Sequence, residues 1–175
     1  MAYVHDDGGR AAAGYTGSCG DCVTRAIAIA TEQPYAAVYE AMATVNAATR
    51  GKLGTRGRKT ARNGVSSSST AFKRYMAALG WQWVPTMGIG TGCKVHLADG
   101  ELPTGRIIAR VSKHVCAVID GVIHDTHDPS ERGTTIYSPT ATDIPKGARW
   151  LENGNGWAYS PARCVYGYWR KAGAP

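Results

Sequence analysis

Residues 114–125 of the chain are HVCAVIDGVIHD. Apolar runs flank Asp120-Gly121, a dipeptide that is typical of two-residue hairpin turns of type I′. The stretch therefore predicts an antiparallel hairpin whose return strand runs from Val122 to about Asp128. The short turn also predicts the register, because it places Ile119 opposite Val122.

That register brings two chemically active side chains to one face of the hairpin. His114 begins the first strand, and Asp125 lies on the return strand one diagonal step away, at ~7–8 Å between the backbones. An imidazole and a carboxylate can meet across that distance. A bulge at Thr126 would instead make Asp128 the partner of His114, whereas a regular hairpin favours Asp125.

Helical periodicity precedes the hairpin. One pattern begins at Cys22, directly after Asp21 as a helix-capping residue type, and a second begins after Pro34. A third follows the serines at 66–69 and ends at Gly80. Residues 1–21 are glycine-rich and are expected to be irregular. Further strands are predicted over three ranges: 81–86, 106–111 and 164–169.

The order of these elements predicts an α+β fold with N-terminal helices packed on a C-terminal antiparallel sheet. The chain has 175 residues, of which 43% are hydrophobic, so one domain over 1–175 is expected. No apolar run approaches the roughly 20 residues of a membrane span. Residues 1–10 carry two Asp and no apolar stretch, so we expect no signal peptide, no membrane association and a cytoplasmic location.

The positive charge is concentrated in one segment. The chain has 20 Lys and Arg against 13 Asp and Glu, yet no acidic residue occurs between Glu40 and Asp99. At about 50–64 this segment is glycine-rich and lacks periodicity, which predicts a basic loop. Such a loop either contacts nucleic-acid phosphates without reading bases, since it has no aromatic residue for stacking, or is simply solvated. The candidate anion-binding residues are Arg56, Arg58, Lys59 and Arg62.

Cys22 is the candidate nucleophile. The first turn of a helix offers unpaired N–H groups and the positive end of the helix dipole, and both favour a thiolate. The same N–H groups can bind an oxyanion. The five cysteines are an odd number without a secretion signal, so we expect them to be reduced, with Cys93 and Cys164 as packing residues.

Residues 17–22, GSCGDC, resemble the Gly-Ser-Cys-Gly-Ser-Cys block around the nucleophile of papain-like cysteine peptidases. The sequence around His114 and Asp125 resembles the second half of that family's site. The chain also resembles small uncharacterised phage and bacterial proteins that combine a Gly-Asp-Cys helix with a His…Asp hairpin. The resemblance implies a papain-like fold in which Cys22 is the nucleophile, His114 the general base and acid, and Asp125 the residue that orients His114.

The resemblance implies a cysteine-dependent hydrolase that acts on an amide, peptide or isopeptide bond, with a protein or peptide as substrate. The oxyanion would rest on the N–H of Cys22 and on Thr16, which stands where the family has a glutamine. If the chain is phage-encoded, it is expected in the host cytoplasm. The alternative is a catalytically inactive papain-like binding module, a phage accessory or host-interaction protein, with nucleic acid contacted through residues 50–64. The oligomeric state stays open.

The pair Cys19 and Cys22 also permits other interpretations. Together with His124 and His127 the pair would supply a Cys₂His₂ set for zinc, but the two histidines point to opposite strand faces. A thioredoxin-like redox motif would need a strand directly before the cysteines, where the chain is glycine-rich. We therefore expect no metal and no organic cofactor.

Overall fold

Three helices and nine strands make up the regular structure of the chain in a computed structural model that describes residues 1–49, 59–130, 135–146, 148–159 and 161–173. In chain order these elements are β1 (Ala2–His5), α1 (Cys22–Thr31), α2 (Tyr35–Ala48), α3 (Thr70–Ala78), β2 (Trp81–Pro85), β3 (Arg106–Val111), β4 (His114–Ile119), β5 (Val122–Asp125), β6 (Thr135–Tyr137), β7 (Arg149–Trp150), β8 (Trp157–Tyr159) and β9 (Gly167–Lys171).

The main sheet has six strands in the order β1-β5-β4-β3-β9-β2, and a smaller sheet has the order β6-β8-β7. All pairings in the main sheet are antiparallel except β1 with β5, which is parallel. Helix α1 packs against β3, β4 and β5, while α2 packs against α1 and α3. The predicted α+β class, with helices packed on a mostly antiparallel sheet, is therefore confirmed, although one strand of that sheet, β1, precedes the helices.

The central strands of the main sheet are buried on both faces, because their apolar residues occupy successive positions and so point alternately to the two faces. Ile108 in β3, with Val115 and Ala117 in β4, faces the helices and shares a core with Ile27 and Phe72. The intervening positions face the other way and form a second core under residues 95–102 and the N-terminal strand. Those positions include Ile107, Ala109, Cys116, Val118 and Ile123.

The hairpin has the register that the turn predicts. Ile119 pairs with Val122, and the next two pairs continue the regular ladder. Asp120 and Gly121 both have positive φ angles, 48° and 81°, as a type I′ turn requires. The Asp120 carboxylate also accepts a hydrogen bond from the N–H of Gly105 at 2.8 Å, which ties the turn to the start of β3.

Several strand predictions are wrong in detail. Residues 2–5, expected to be irregular, form β1 along the edge of β5. The return strand ends at Asp125 instead of near Asp128. The last strand begins at Gly167 instead of 164, and the small sheet was not predicted. Edge strands of two to four residues, such as β1 and the strands of the small sheet, are too short to show the alternation on which prediction depends.

The expectation of five reduced cysteines is also wrong. Cys93 and Cys164 form a disulfide, with 5.8 Å between their Cα atoms and a sequence separation of 71. Cys19, Cys22 and Cys116 are free. The two bridged residues meet because the chain next to Cys93 pairs with Cys164 through an isolated bridge at His96, a long-range contact without a local sequence pattern. Among the residues that the structure describes, no helix is both long and apolar enough to cross a membrane.

Candidate active site

Cys22 is the first residue of α1, and its half-buried side chain faces the start of β4. Burial by itself raises the pKa of this thiol, but a hydrogen bond to His114 and the charge of His114 outweigh burial and lower the pKa below its ordinary value. The backbone N–H of Val115 and the guanidinium of Arg25 act in the same direction. These contacts therefore favour the thiolate form of Cys22.

His114 joins the thiol to a carboxylate. Its Nε2 lies 2.5 Å from Oδ2 of Asp125, which leaves Nδ1 for the hydrogen bond to Cys22. Burial lowers the pKa of the imidazole, but the hydrogen bonds and charges of Asp125 and Cys22 raise it to about 9. Because the pKa of Cys22 is lowered and that of His114 is raised, the thiolate–imidazolium pair is favoured over the neutral thiol and imidazole, and the two groups titrate as a pair.

Asp125 is buried at the end of β5, with 3% of its side chain exposed. Its Oδ1 accepts a hydrogen bond from the N–H of Thr126 at 2.7 Å and lies 3.8 Å from Nη2 of Arg25. Asp128, the alternative that a bulge would have favoured, instead accepts the N–H of Ser130 at 2.8 Å. The predicted contact of His114 with Asp125 is therefore present, while the catalytic roles of the three residues stay predictions.

Asp21 has a function that the sequence did not indicate. It was expected to cap α1, but it makes no capping hydrogen bond. Its carboxylate is buried and accepts hydrogen bonds from Arg25 at 2.7 Å, from the Tyr35 hydroxyl and from the Cys19 thiol, and Nε of Arg10 lies 3.2 Å away. Burial raises the pKa of Asp21, but these donors and cations outweigh burial and lower it.

The Asp21 cluster, which contains Asp21, Arg10, Cys19, Arg25 and Tyr35, fixes the loop before Cys22, because its members lie on both sides of Cys22 in the chain. No local sequence pattern predicts that Arg10 and Tyr35 contact Asp21, because each lies more than ten residues from it in the chain. The one signal that could have found it is the spacing of Asp21 and Arg25, which places opposite charges one turn apart on a helix.

A cavity of about 250 Å³ opens beside Cys22 and His114. One wall is the segment from Val65 to Ser68, which leads into α3. The cavity is also lined by residues of β3, β4 and the turn between them, together with Tyr166. This cavity is the space beside the thiol in which a substrate carbonyl can be placed.

Thr16, the predicted second oxyanion donor, is not among the residues that line the cavity. Its side chain is exposed, and its carbonyl accepts a hydrogen bond from Arg10 at 3.0 Å. The first turn of α1 places the N–H of Cys22 near its own side chain, as the sequence predicts. The assignment of Thr16 stays a prediction from the resemblance.

The predicted basic loop is only partly covered by the structure. Arg56 and Arg58 lie outside the described residues. Lys59 is exposed, and Arg62 donates to the carbonyl of Ser18 at 3.4 Å. The carbonyl of Arg62 also accepts the N–H of Gly20 at 2.8 Å, so this end of the segment is attached to the loop that carries Cys22.

One group of side chains has the composition of a metal site. The donor atoms of His114, Asp125 and His127 lie within 4.8 Å of one another, and the rings of the two histidines are 4.7 Å apart. Nε2 of His114 and Oδ2 of Asp125 are hydrogen-bonded to each other, so a cation would have to displace that hydrogen bond. These residues differ from the Cys₂His₂ set considered from the sequence.

No protein-family model, curated protein or solved structure matched this chain.

Proposed function

We propose that the protein is a cysteine-dependent hydrolase of amide, peptide or isopeptide bonds, with Cys22, His114 and Asp125 as its triad. One observation carries the proposal: the thiol at the start of a helix is hydrogen-bonded to an imidazole whose other nitrogen is bonded to a buried carboxylate. A nucleophile, a base and an orienting group in that order are what covalent acyl transfer needs.

In this mechanism the Cys22 thiolate attacks the carbonyl carbon and forms a tetrahedral intermediate. The oxyanion lies toward the N–H of Cys22 at the positive end of α1. The His114 imidazolium protonates the departing amine, which leaves a thioester on Cys22. Neutral His114 then removes a proton from water, hydroxide attacks the thioester, and the carboxylic acid product and the free thiolate–imidazolium pair are released.

The papain-like assignment belongs to the same proposal. It is supported by the order of the parts along the chain, in which a helix carries the cysteine and a later antiparallel hairpin carries the histidine and the carboxylate. The use of both imidazole nitrogens, one toward the thiol and one toward the carboxylate, supports it as well.

Selective alkylation tests whether Cys22 is activated. At about pH 6 an ordinary thiol is almost wholly protonated, so iodoacetamide should modify Cys22 well ahead of Cys19. Cys19 is an internal control three residues away: burial and its hydrogen bond to Asp21 raise its pKa. The labelled sites are mapped by mass spectrometry. His114→Ala should slow the labelling of Cys22 and leave that of Cys19 unchanged, whereas equal rates for both thiols in the native protein would refute the activated pair.

Hydrolysis is then assayed on amide and isopeptide substrates, with Cys22→Ser as the inactive reference. A binding module without catalysis is the second candidate, and the exposed Thr16 favours it because the cavity gains no donor from that side chain. That candidate predicts a reactive Cys22 without turnover of any acyl substrate. If it binds nucleic acid through the basic segment, its affinity should fall steeply with added salt.

A further inference from the structure

The cavity beside Cys22 has a cationic wall. Arg110 lies in β3 and Lys113 in the turn that joins β3 to β4, and both line the cavity together with Cys22 and His114. Among the residues described as its lining there is no Asp or Glu. The space next to the nucleophile therefore has an excess of positive charge, to which the His114 imidazolium adds.

Register places Arg110 close to the nucleophile. Arg110 pairs across the ladder with Val115, the residue whose N–H is hydrogen-bonded to the Cys22 sulfur. Arg110 also lies two positions from Ile108, which belongs to the core shared with the helices. Because residues two apart on a strand share a face, the Arg110 side chain lies on the face of the sheet that carries Cys22.

Neither cation of this wall has a partner within the described part of the chain. Arg110 is half-buried and Lys113 is exposed, and the side chain of each makes no hydrogen bond or ion pair there. Other half-buried arginines are engaged: Arg106 binds Glu32 and a carbonyl, and Arg163 binds the carbonyl of Ser112. The donors of the Arg110 guanidinium can therefore bind an anion that enters the cavity.

We infer that the cavity is a subsite for an acidic peptide, in which Arg110 and Lys113 bind the carboxylate of a residue adjoining the scissile carbonyl. The inference rests on the proposed function. A volume of about 250 Å³ suits one or two residues of an extended peptide. Ser66, Ser67 and Ser68 also line the cavity, and their hydroxyls, of which those of Ser66 and Ser68 are hydrogen-bonded to each other, can supply neutral donors to such a peptide.

The alkylation rates of Cys22 with an anionic and a neutral reagent show whether the positive charges of Arg110 and Lys113 act at the sulfur, and this comparison does not require turnover. Iodoacetate is anionic and iodoacetamide is neutral, and both modify the same sulfur. Arg110→Gln and Lys113→Gln should each slow the reaction of Cys22 with iodoacetate about threefold to tenfold at low salt, because each removes one nearby positive charge. The rate with iodoacetamide should stay within about twofold of the native value.

Two kinds of control accompany these variants. Arg74→Gln and Lys146→Gln remove an exposed cation that does not line the cavity and should leave both rates unchanged. Arg110→Lys keeps the charge and should keep most of the iodoacetate rate. If Cys22 reacts rapidly with iodoacetamide but the ratio of the two rates is the same in all variants, the inference is overturned while the proposed function stands. If Cys22 is no more reactive than Cys19, the proposed function itself fails.

Protection by peptides tests the chemistry of the ligand. A short glutamate-containing peptide should slow iodoacetamide labelling of Cys22 in the native protein, and Arg110→Gln should weaken this protection. The same peptide with glutamine in place of glutamate should protect poorly. Inorganic phosphate at equal concentration is the comparison anion. Equal protection by phosphate, or by the glutamine peptide, would overturn the assignment to a peptide carboxylate.

Discussion

Replacement of Asp125 by asparagine tests the thiolate–imidazolium pair at the group that maintains it. The carboxylate oxygen Oδ2 lies 2.5 Å from Nε2 of His114, and Oδ1 accepts the N–H of Thr126. An asparagine has nearly the same shape and can still accept from Thr126. Asp125→Asn therefore removes the negative charge while it keeps the end of β5 in place.

The size of the effect follows from the pKa of His114. This pKa is about 9, against an ordinary value of 6.5, and of the two groups that raise it Asp125 contributes more than Cys22. Neutralising Asp125 should return most of that difference, which corresponds to a loss of about 2 kcal/mol from the ion pair. A raised histidine pKa stabilises the charged pair below that pKa, and the stabilisation is lost as the pH rises through it. In Asp125→Asn the loss should therefore begin closer to neutral pH.

The assay is the rate of Cys22 alkylation by iodoacetamide as a function of pH. We expect the native protein to react at pH values well below the ordinary thiol pKa, and Asp125→Asn to react about tenfold more slowly at about pH 7.5, which lies above the lowered pKa of His114 and below the ordinary thiol pKa. Asp128→Asn is the matched control, since Asp128 accepts the N–H of Ser130 and makes no hydrogen bond or ion pair with His114 among the described residues. An unchanged profile for Asp125→Asn, or equal changes in both variants, would refute the assigned role of Asp125.

Two further predictions concern stability. Asp21→Asn should lower the free energy of unfolding by about 3 kcal/mol, because it removes the buried anion that the largely buried Arg10 and Arg25 share. The exposed Asp143→Asn should change it by less than about 0.5 kcal/mol in the same urea titrations. Replacing Cys93 and Cys164 together by serine should cost about 4 kcal/mol, from the entropy of a loop with a sequence separation of 71, and identical urea midpoints for the double variant and the native protein would contradict this.

The hairpin could be predicted from the sequence because its determinants are local. A two-residue turn at Asp120-Gly121 fixes which residues pair, and the pairing fixes which side chains share a face. The contact of His114 with Asp125 follows from this register. The start of the first helix at Cys22 was also predictable, since the apolar spacing that begins there is helical.

The features that escaped prediction are long-range. The disulfide joins residues 71 positions apart, and β1 pairs with a strand more than a hundred residues later. The ligands of Asp21 come from a loop before it and from two different helices after it. No periodicity or turn signal encodes such contacts, because they depend on how finished elements pack. The proposed anion subsite is of this kind as well, since it depends on Arg110 lying beside Cys22 without a partner among the residues that the structure describes.

Arg25 contacts both the carboxylate that fixes the loop before Cys22 and the carboxylate that binds His114. Its Nη1 donates to Asp21 at 2.7 Å, its Nη2 lies 3.8 Å from Asp125, and its charge helps to lower the pKa of Cys22. In the thiolate–imidazolium state the charged groups around Arg25 comprise three anions and three cations. The anions are Asp21, Asp125 and the Cys22 thiolate, and the cations are Arg10, Arg25 and the His114 imidazolium. Transfer of the proton from imidazolium to thiolate conserves this balance, so both states of the pair are compatible with the same packed surroundings. Removal of Arg25 would leave one more anion than cations, which raises the pKa of Cys22 and favours the protonated thiol.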